Sequence, residues 1–140
     1  MIIGWEGSKT FNSEETKSLG KKLSNYLEQG DVLALVGELA TGKTTFIQGI
    51  LRGLKYKKSV TSPTFTLINE YDAIYSIIHI DCYREENIQR WIQLGFHDYI
   101  NEDNIVIIEW ADKVPSLLPD DHIQIDFMHK GFDKREITLH

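Results

Sequence analysis

The stretch DVLALVGELATGKTTFIQGILRGL, residues 31–54, decides the fold of this chain. Its first part, residues 31–37, is a short continuous apolar run that ends in glycine, as expected of a strand buried on both faces of a sheet. A glycine-rich turn follows. The apolar residues beyond the turn recur on one helical stripe: Phe46, Ile47, Ile50, Leu51 and Leu54. The stretch therefore predicts a strand, a tight loop and a helix in direct succession.

The loop satisfies the pattern G-x-x-x-x-G-K-[ST], which is typical of phosphate-binding loops. Gly37 and Gly42 permit a tight turn whose N–H groups face inward, and the positive end of the following helix strengthens this anion site. The Lys43 ammonium can reach the β and γ phosphates of a nucleotide, and the Thr44 hydroxyl can complete the shell of a Mg²⁺ ion. The residues expected to contact the nucleotide here are Glu38, Leu39, Ala40, Thr41, Gly42, Lys43, Thr44 and Thr45.

Two acidic residues end apolar segments elsewhere in the chain. Asp81 ends the run IIHI, and Glu109 ends the run IVII. A phosphate loop needs an acid at the end of another strand to hold the hydrated metal, and a second acid can orient the attacking water. The sequence leaves open which residue does which, and for each the alternative is a solvated carboxylate at a strand end.

The segment from Thr61 to Thr64, with the sequence TSPT, offers three hydroxyls beside a stiffening proline. A hydroxyl or backbone N–H here that contacts a γ-phosphate would be ordered by a triphosphate and released after hydrolysis. A plain proline turn before a strand explains the segment equally well.

The rest of the chain adds elements on both sides of this unit. They are a helix capped at Asn12 and closed by Gly30, a hairpin of residues 65–71 and 73–81, a short helix ending at Gly95, a buried strand at 105–110, and a second hairpin of residues 122–128 and 135–139. Together they predict an α/β fold: a P-loop NTPase-like layered domain with a mixed, mostly parallel central sheet plus antiparallel hairpins. We expect a single nucleotide-binding domain over residues 1–140.

Composition narrows the class of protein further. The chain has 140 residues, and its 15 Lys and Arg against 21 Asp and Glu give a net charge of −6, which disfavours a free-standing nucleic-acid binder. The one cysteine, Cys82, forms no internal disulfide and no multi-cysteine zinc site. No apolar run approaches the ~20 residues of a membrane span. We therefore expect a cytoplasmic protein with no membrane association.

The remaining candidates favour structural roles. No metal-ligand spacing relates the histidines, which are His79, His97, His122, His129 and His140. Strand alternation turns Cys82 away from the side of Asp81, so a buried small side chain is expected. The cluster of Lys55, Lys57 and Lys58 is typical of a solvated face, with a contact to an acidic partner or RNA backbone as the alternative.

A series of segments, taken together, resembles the TsaE family, also called YjeE or YdiB, over nearly the whole chain. The segments are GELATGKTTF (37–46), SPTFTLINEY (62–71), HIDCYR (79–84), LGFHDYI (94–100) and IEWADK (108–113). Members of that family are small bacterial P-loop ATPases required for the threonylcarbamoyladenosine modification of tRNAs that read ANN codons. The resemblance implies ATP or ADP and Mg²⁺ as cofactors.

The resemblance also implies roles for particular residues. Catalytic roles fall on Lys43, Asp81, Glu109 and Thr64, the last as part of a switch segment. The metal roles fall on Thr44, Asp81 and Glu109. Trp110 is implied at the nucleotide site.

By the same resemblance, the partners are the TsaD and TsaB proteins, which form and transfer the threonylcarbamoyl group. The ATPase supports their repeated turnover and meets tRNA only indirectly. Two residues depart from the family pattern. Ala40 stands where the family usually has Gly, and if that position needs a positive φ, alanine costs about 1 kcal/mol. Cys82 stands where Leu is common, a change compatible with packing.

Two other functions use the same loop. A binding module would read the nucleotide state with negligible hydrolysis. A small P-loop kinase would need a lid and several arginines, but the chain has only Arg52, Arg84, Arg90 and Arg135 and no lid-sized insertion. A guanine-specific switch is disfavoured because no N-K-x-D segment is present.

Overall fold

The computed structural model describes residues 4–38, 42–58, 67–132 and 134–140. In chain order the elements are β1 (Ser8–Thr10), α1 (Ser13–Ser24), β2 (Val32–Val36), α2 (Lys43–Gly53), β3 (Ile68–Asp72), β4 (Ser76–Asp81), α3 (Ile88–Gln93), α4 (Phe96–Tyr99), β5 (Asn104–Glu109), β6 (Ile123–His129) and β7 (Arg135–Leu139). Two short 3-10 turns, Ala111–Lys113 and Pro115–Leu117, join β5 to β6.

The strands form one sheet in the order β1-β7-β6-β2-β5-β4-β3. The four central strands β6, β2, β5 and β4 are parallel, whereas β3 with β4, β6 with β7, and β1 with β7 pair antiparallel. Both predicted hairpins are therefore present, and the α/β fold with a mixed sheet that is mostly parallel at its centre is confirmed.

The central strands bury both of their faces, which explains their continuous apolar sequences. In β2, Leu33 and Leu35 face α1 and α2, while Val32 and Ala34 face α3, α4 and the 3-10 turns. The same alternation holds in β4 and β5, where odd-numbered residues such as Ile77 lie on the face covered by α1 and α2. This alternation decides which polar side chains at the strand ends lie on the same face and can contact one another.

The N-cap predicted at Asn12 is present at the start of α1. The Asn12 side chain accepts from the Glu15 amide at 2.9 Å, and the Glu15 carboxylate accepts from the Phe11 amide at 3.1 Å. The predicted end of this helix at Gly30 is wrong. The helix ends at Ser24, where the Asn25 amide turns back to nearby carbonyls.

The misplaced helix end has a physical cause in the hydrophobic pattern. Leu27 has helical spacing from Leu23 and is buried, but it reaches the core from a loop. Apolar spacing reports which side chains are buried, and a turn can satisfy it as well as a helix. The elements that the sequence did not predict, β1, α4 and the 3-10 turns, have only three or four residues each and are too short to show a period.

Helices α1 and α2 pack at very short range through glycine. A Cβ atom added at Gly49 would lie 2.0 Å from the Lys17 carbonyl oxygen, and one added at Gly20 would lie 2.2 Å from the Phe46 carbonyl oxygen. Both obstacles are backbone atoms, which cannot move aside cheaply. This contact sets the position of α2, and with it the start of that helix.

No helix within the described ranges is long and apolar enough to cross a membrane.

We predict that Gly49→Ala lowers the free energy of unfolding by about 1–3 kcal/mol, as overpacking does in tight interiors. In a helix without this contact the same change would stabilise by up to ~1 kcal/mol, so the sign is diagnostic. Urea denaturation measures the change. Ser18→Ala on the exposed side of α1 is the control and should stay within about 0.5 kcal/mol of the wild type. A Gly49→Ala protein that is more stable than the wild type would contradict the packing described.

Candidate functional site

The carboxyl ends of three parallel strands meet at one edge of the sheet. Asp81 is the last residue of β4 and Glu109 the last of β5, and the two are register partners. Leu35 in β2 is the register partner of Glu109 on its other side, and Gly37 follows two residues later. Crevices at this edge are where open α/β sheets bind ligands. The sheet therefore brings both predicted acids to the start of the predicted phosphate loop.

Both glycines of the predicted loop occupy positions where a side chain would be unfavourable. A Cβ atom at Gly37 would lie 2.6 Å from the Phe127 carbonyl oxygen in β6. Gly42 caps α2 in the left-handed region, with a φ of 91°, which favours glycine. Between them, Leu39, Ala40 and Thr41 lie outside the described residues, so the effect of Ala40 on the loop stays a prediction.

Lys43 is the first residue of α2 and is buried although it carries a charge. Its ammonium donates to the Gly37 carbonyl and, at 3.2 Å, to the Glu38 carbonyl. It also lies 4.0 Å from the centroid of the Trp110 ring, a cation–π contact. Burial lowers the pKa of Lys43, while the nearby carboxylates, Glu109 foremost, oppose that shift. The ammonium is thus held in place at the positive end of the helix.

Trp110 adopts a conformation that is rare for a bulky side chain. Its φ of 57° and ψ of 38° lie in the left-handed region, which costs about 1–2 kcal/mol for a residue with a Cβ. Its amide donates to the Leu35 carbonyl at 3.1 Å, and its ring packs 4.9 Å from the Tyr83 ring. Backbone strain of this kind is found where the surrounding structure holds a functional side chain in position.

The two carboxylates have different surroundings. Glu109 is buried, and its Oε2 lies 2.7 Å from His79 Nε2. Asp81 is half-buried, and its Oδ1 accepts from the Tyr83 amide at 2.9 Å. Burial raises the pKa of Asp81 and the Glu109 charge adds to this, against the Tyr83 hydrogen bond and the charges of His79 and Lys43. A cation at this edge would relieve the repulsion between the two acids.

The sequence patterns do not single out His79, because all five histidines are predicted to be structural. A signal was present: His79 precedes Asp81 by two residues, so strand alternation places both on one face. Which neighbour would stand beside His79 depended on the pairing of β4 with β5. That pairing joins residues about thirty positions apart and leaves no local mark in the sequence.

The other candidates lie where plain structural roles put them. Cys82 is buried on the opposite face of the sheet, and burial raises the pKa of its thiol to about 12. Lys55, Lys57 and Lys58 are exposed. Among the described residues, no three of the His, Cys, Asp and Glu side chains form a group that could hold a metal ion.

The predicted switch residue Thr64 and its neighbours 61–63 lie outside the described residues. Thr44 and Thr45 lie half-buried in the first turn of α2, directly after Lys43. The structure thus gathers Lys43, Thr44, Asp81, Glu109 and Trp110 around one edge of the sheet.

The site combines a buried strand, a loop bounded by two glycines, and a helix that begins at a buried lysine. Two acids lie at neighbouring strand ends. These features define an α/β protein of the P-loop NTPase-like class. Comparison with known proteins narrows the class. The family profile described as "Threonylcarbamoyl adenosine biosynthesis protein TsaE" matches residues 10–137. The chain belongs to the TsaE family.

Individual relatives agree with this assignment. The tRNA threonylcarbamoyladenosine biosynthesis protein TsaE of Bacillus subtilis is 40% identical over 132 residues, which cover 94% of this chain and 82% of the relative. The tRNA threonylcarbamoyladenosine biosynthesis protein TsaE of Treponema pallidum is 33% identical over 128 residues, which cover 91% of this chain and 95% of the relative. The crystal structure of Bacillus subtilis YdiB superposes with a TM-score of 0.82 at 36% identity, covering 95% of this chain and 82% of that one.

We predict that Asp81→Asn stabilises the protein in metal-free buffer at neutral pH, by about 0.5–2 kcal/mol. The raised pKa means that the folded protein binds the Asp81 proton more tightly than the unfolded chain does. Ionisation of Asp81 therefore costs stability as the pH rises above the ordinary carboxyl value of 3.8, and the cost is complete above the raised pKa. The gain from Asp81→Asn should shrink as the pH is lowered through that window.

Urea denaturation at several pH values measures this difference in unfolding free energy. Asp103→Asn, in the exposed turn before β5, is the matched control and should change stability little at any pH. A loss of stability in Asp81→Asn at neutral pH would show that the carboxylate is not under electrostatic strain.

Proposed function

We propose that this protein is a Mg²⁺-dependent ATPase that converts ATP to ADP and phosphate in tRNA threonylcarbamoyladenosine biosynthesis. The observation that carries the proposal is the buried Lys43 ammonium at the N-terminal end of α2, beside the register-paired carboxylates of Asp81 and Glu109. Few roles other than anion binding explain a buried lysine at a helix N-terminus, where the helix already favours negative charge.

Nucleotide binding would use the loop and the first turn of α2. Two of the three Lys43 protons are donated to loop carbonyls, which fixes the ammonium in place and leaves a donor for a phosphate oxygen. The amides in the first turn of α2, which have no acceptor within the helix, add donors of fixed direction. The Trp110 ring covers the ammonium and lowers its exposure to water. Lys43 therefore needs little reorganisation to meet a triphosphate.

The donor atoms at this edge fit Mg²⁺. Mg²⁺ prefers oxygen ligands and is usually held by one or two carboxylates together with phosphate oxygens and water, so it needs no dense protein cage. The Thr44 hydroxyl and the carboxylates of Asp81 and Glu109 offer such oxygens. When bound, Mg²⁺ would supply charge neutralisation on the phosphate oxygens during transfer.

In the proposed reaction, a water oxygen forms a bond to the γ-phosphorus as the bond to the β,γ-bridging oxygen breaks, and ADP leaves with that electron pair. The proton of the water passes to a carboxylate or to the released phosphate. One of Asp81 and Glu109 would orient the water while the other holds the metal, and Lys43 would stabilise charge on the transferred group.

The biological assignment rests on the family. The relatives named above are described as tRNA threonylcarbamoyladenosine biosynthesis proteins. We infer that this chain acts in the same process in the cytoplasm, with TsaD and TsaB as partners. A net charge of −6 agrees with a protein that meets tRNA only through such partners.

A second function uses part of the same site. The contacts of Lys43 with the loop carbonyls and Trp110 would serve a module that binds nucleotide without cutting it. In that case, partner affinity would differ between the ATP and ADP states while turnover stayed negligible.

We predict that Lys43→Ala lowers Mg²⁺-dependent ATP hydrolysis by at least about 100-fold, the usual cost of losing a donor to transition-state charge. Phosphate release is measured with the purified protein, first alone and then with TsaB and TsaD, whose presence should raise the rate. Lys22→Ala, an exposed lysine on α1, is the control and should keep wild-type turnover.

Full turnover in Lys43→Ala would remove the ATPase proposal. Tight ATP binding without hydrolysis, together with partner affinity that changes between ATP and ADP, would favour the binding module. A rate of ATP hydrolysis that does not change when TsaB and TsaD are added would contradict the proposed partnership but not the proposed ATPase activity.

A further inference from the structure

His79 contacts one of the two acids, Glu109, from within the sheet. It lies in β4 and is completely buried on the face covered by α1 and α2, two residues before Asp81. Its Nε2 lies 2.7 Å from Glu109 Oε2, across the β4–β5 pairing. An ionised carboxylate can only accept, so the imidazole donates this hydrogen bond. The bond joins two buried polar groups.

The imidazole ring is itself held in position. The Tyr71 ring of β3 stacks on it with 6.4 Å between ring centroids and an interplanar angle of 29°. Tyr71 in turn packs edge-on against Tyr56, 5.0 Å away. The Nδ1 atom of His79 is buried and has no hydrogen-bond partner among the described residues. Stacking and burial therefore fix the ring, and Nε2 is hydrogen-bonded to Glu109.

Glu109 needs such a partner because of its other neighbours. Asp81 stands directly beside it in register and repels it, while the Lys43 ammonium attracts it. Without a fixed donor, the Glu109 carboxylate would turn towards Lys43 and neutralise the charge that a phosphate is meant to meet. The hydrogen bond from His79 holds Oε2 and leaves Oε1 available.

We propose that His79 is a positioning residue for the reaction at this site: by holding Glu109 Oε2, it keeps the carboxylate apart from Lys43 and leaves Oε1 to act on water or Mg²⁺. This inference rests on the proposed ATPase function. His79 touches neither nucleotide nor phosphate in this role and acts only through Glu109.

Three substitutions at one position test the role. His79→Ala removes the donor and should lower kcat about 10–100-fold, the usual cost of removing a residue that orients a ligand. The dissociation constant for ADP, measured without Mg²⁺, should not change, because Lys43 and the loop remain. His79→Gln places an amide donor near the position of Nε2 and should restore most of the turnover. His79→Asn places the same amide one bond short, near Nδ1, and should not.

Two controls separate positioning from stability. Ile77→Ala opens a cavity on the same strand and the same face without touching Glu109, and it should reduce stability but leave kcat per folded molecule unchanged. In a Glu109→Ala background, His79→Ala should reduce turnover no further, since its effect passes through Glu109. Circular dichroism confirms that each variant is folded before its kinetics are compared.

A second measurement does not depend on activity. In a ¹H–¹⁵N spectrum of the histidine rings, His79 should show a slowly exchanging Nε2–H proton, assigned by its absence in His79→Gln. In Glu109→Ala this proton should exchange fast.

The outcomes are distinct. Wild-type kcat in both His79→Ala and His79→Asn, or a fast-exchanging Nε2–H in the wild type, would overturn the positioning role and leave the ATPase proposal intact. A wild-type protein that binds ATP and does not hydrolyse it, alone or with TsaB and TsaD, would overturn the proposed function and this role together.

Discussion

The parallel register of β2, β5 and β4 is the constraint on which the site depends. It places Glu109 between Leu35 and Asp81, and it brings the end of β2, where the predicted phosphate loop begins, to the same edge. Side chains alternate along a strand, so a slip of one residue would turn Asp81 or Glu109 to the opposite face and bury it against α3 and α4. Burying either carboxylate among the apolar side chains of that face would cost free energy, and this cost opposes the slip, so the core and the site are specified together.

Charged groups in the interior make the site costly to fold. Lys43 and Glu109 are buried, Asp81 is half-buried beside another carboxylate, and Trp110 holds a strained backbone. The two buried charges have partial compensation: loop carbonyls and an aromatic ring for Lys43, and a histidine for Glu109. Buried charges with only partial compensation are characteristic of binding and catalytic sites, where affinity for a ligand offsets the loss of stability.

Packing away from the site sets its geometry. Gly49 and Gly20 allow α1 and α2 to approach closely, and this contact fixes the helix whose first residue is Lys43. In the first turn of α1, Thr16 shares a buried hydrogen bond of 2.8 Å with Thr10 of β1 and lies close to Gly42. A helix that carries no site residue thus packs against Gly42, the N-cap of α2, and a hydrogen bond connects the same helix to the edge strand β1.

The sequence by itself determined the local chemistry: the strand, loop and helix of residues 31–54, the two hairpins, and the candidate roles of Lys43, Asp81 and Glu109. Those features are written in short-range patterns, namely the spacing of glycines, apolar periodicity and acids at the ends of apolar runs. Only the tertiary structure decided that Asp81 and Glu109 are register partners, that Trp110 covers Lys43, and that His79 holds Glu109. These relations join residues that are 28 to 67 positions apart in the sequence. Strand order and side-chain packing create them, and no local pattern encodes either one.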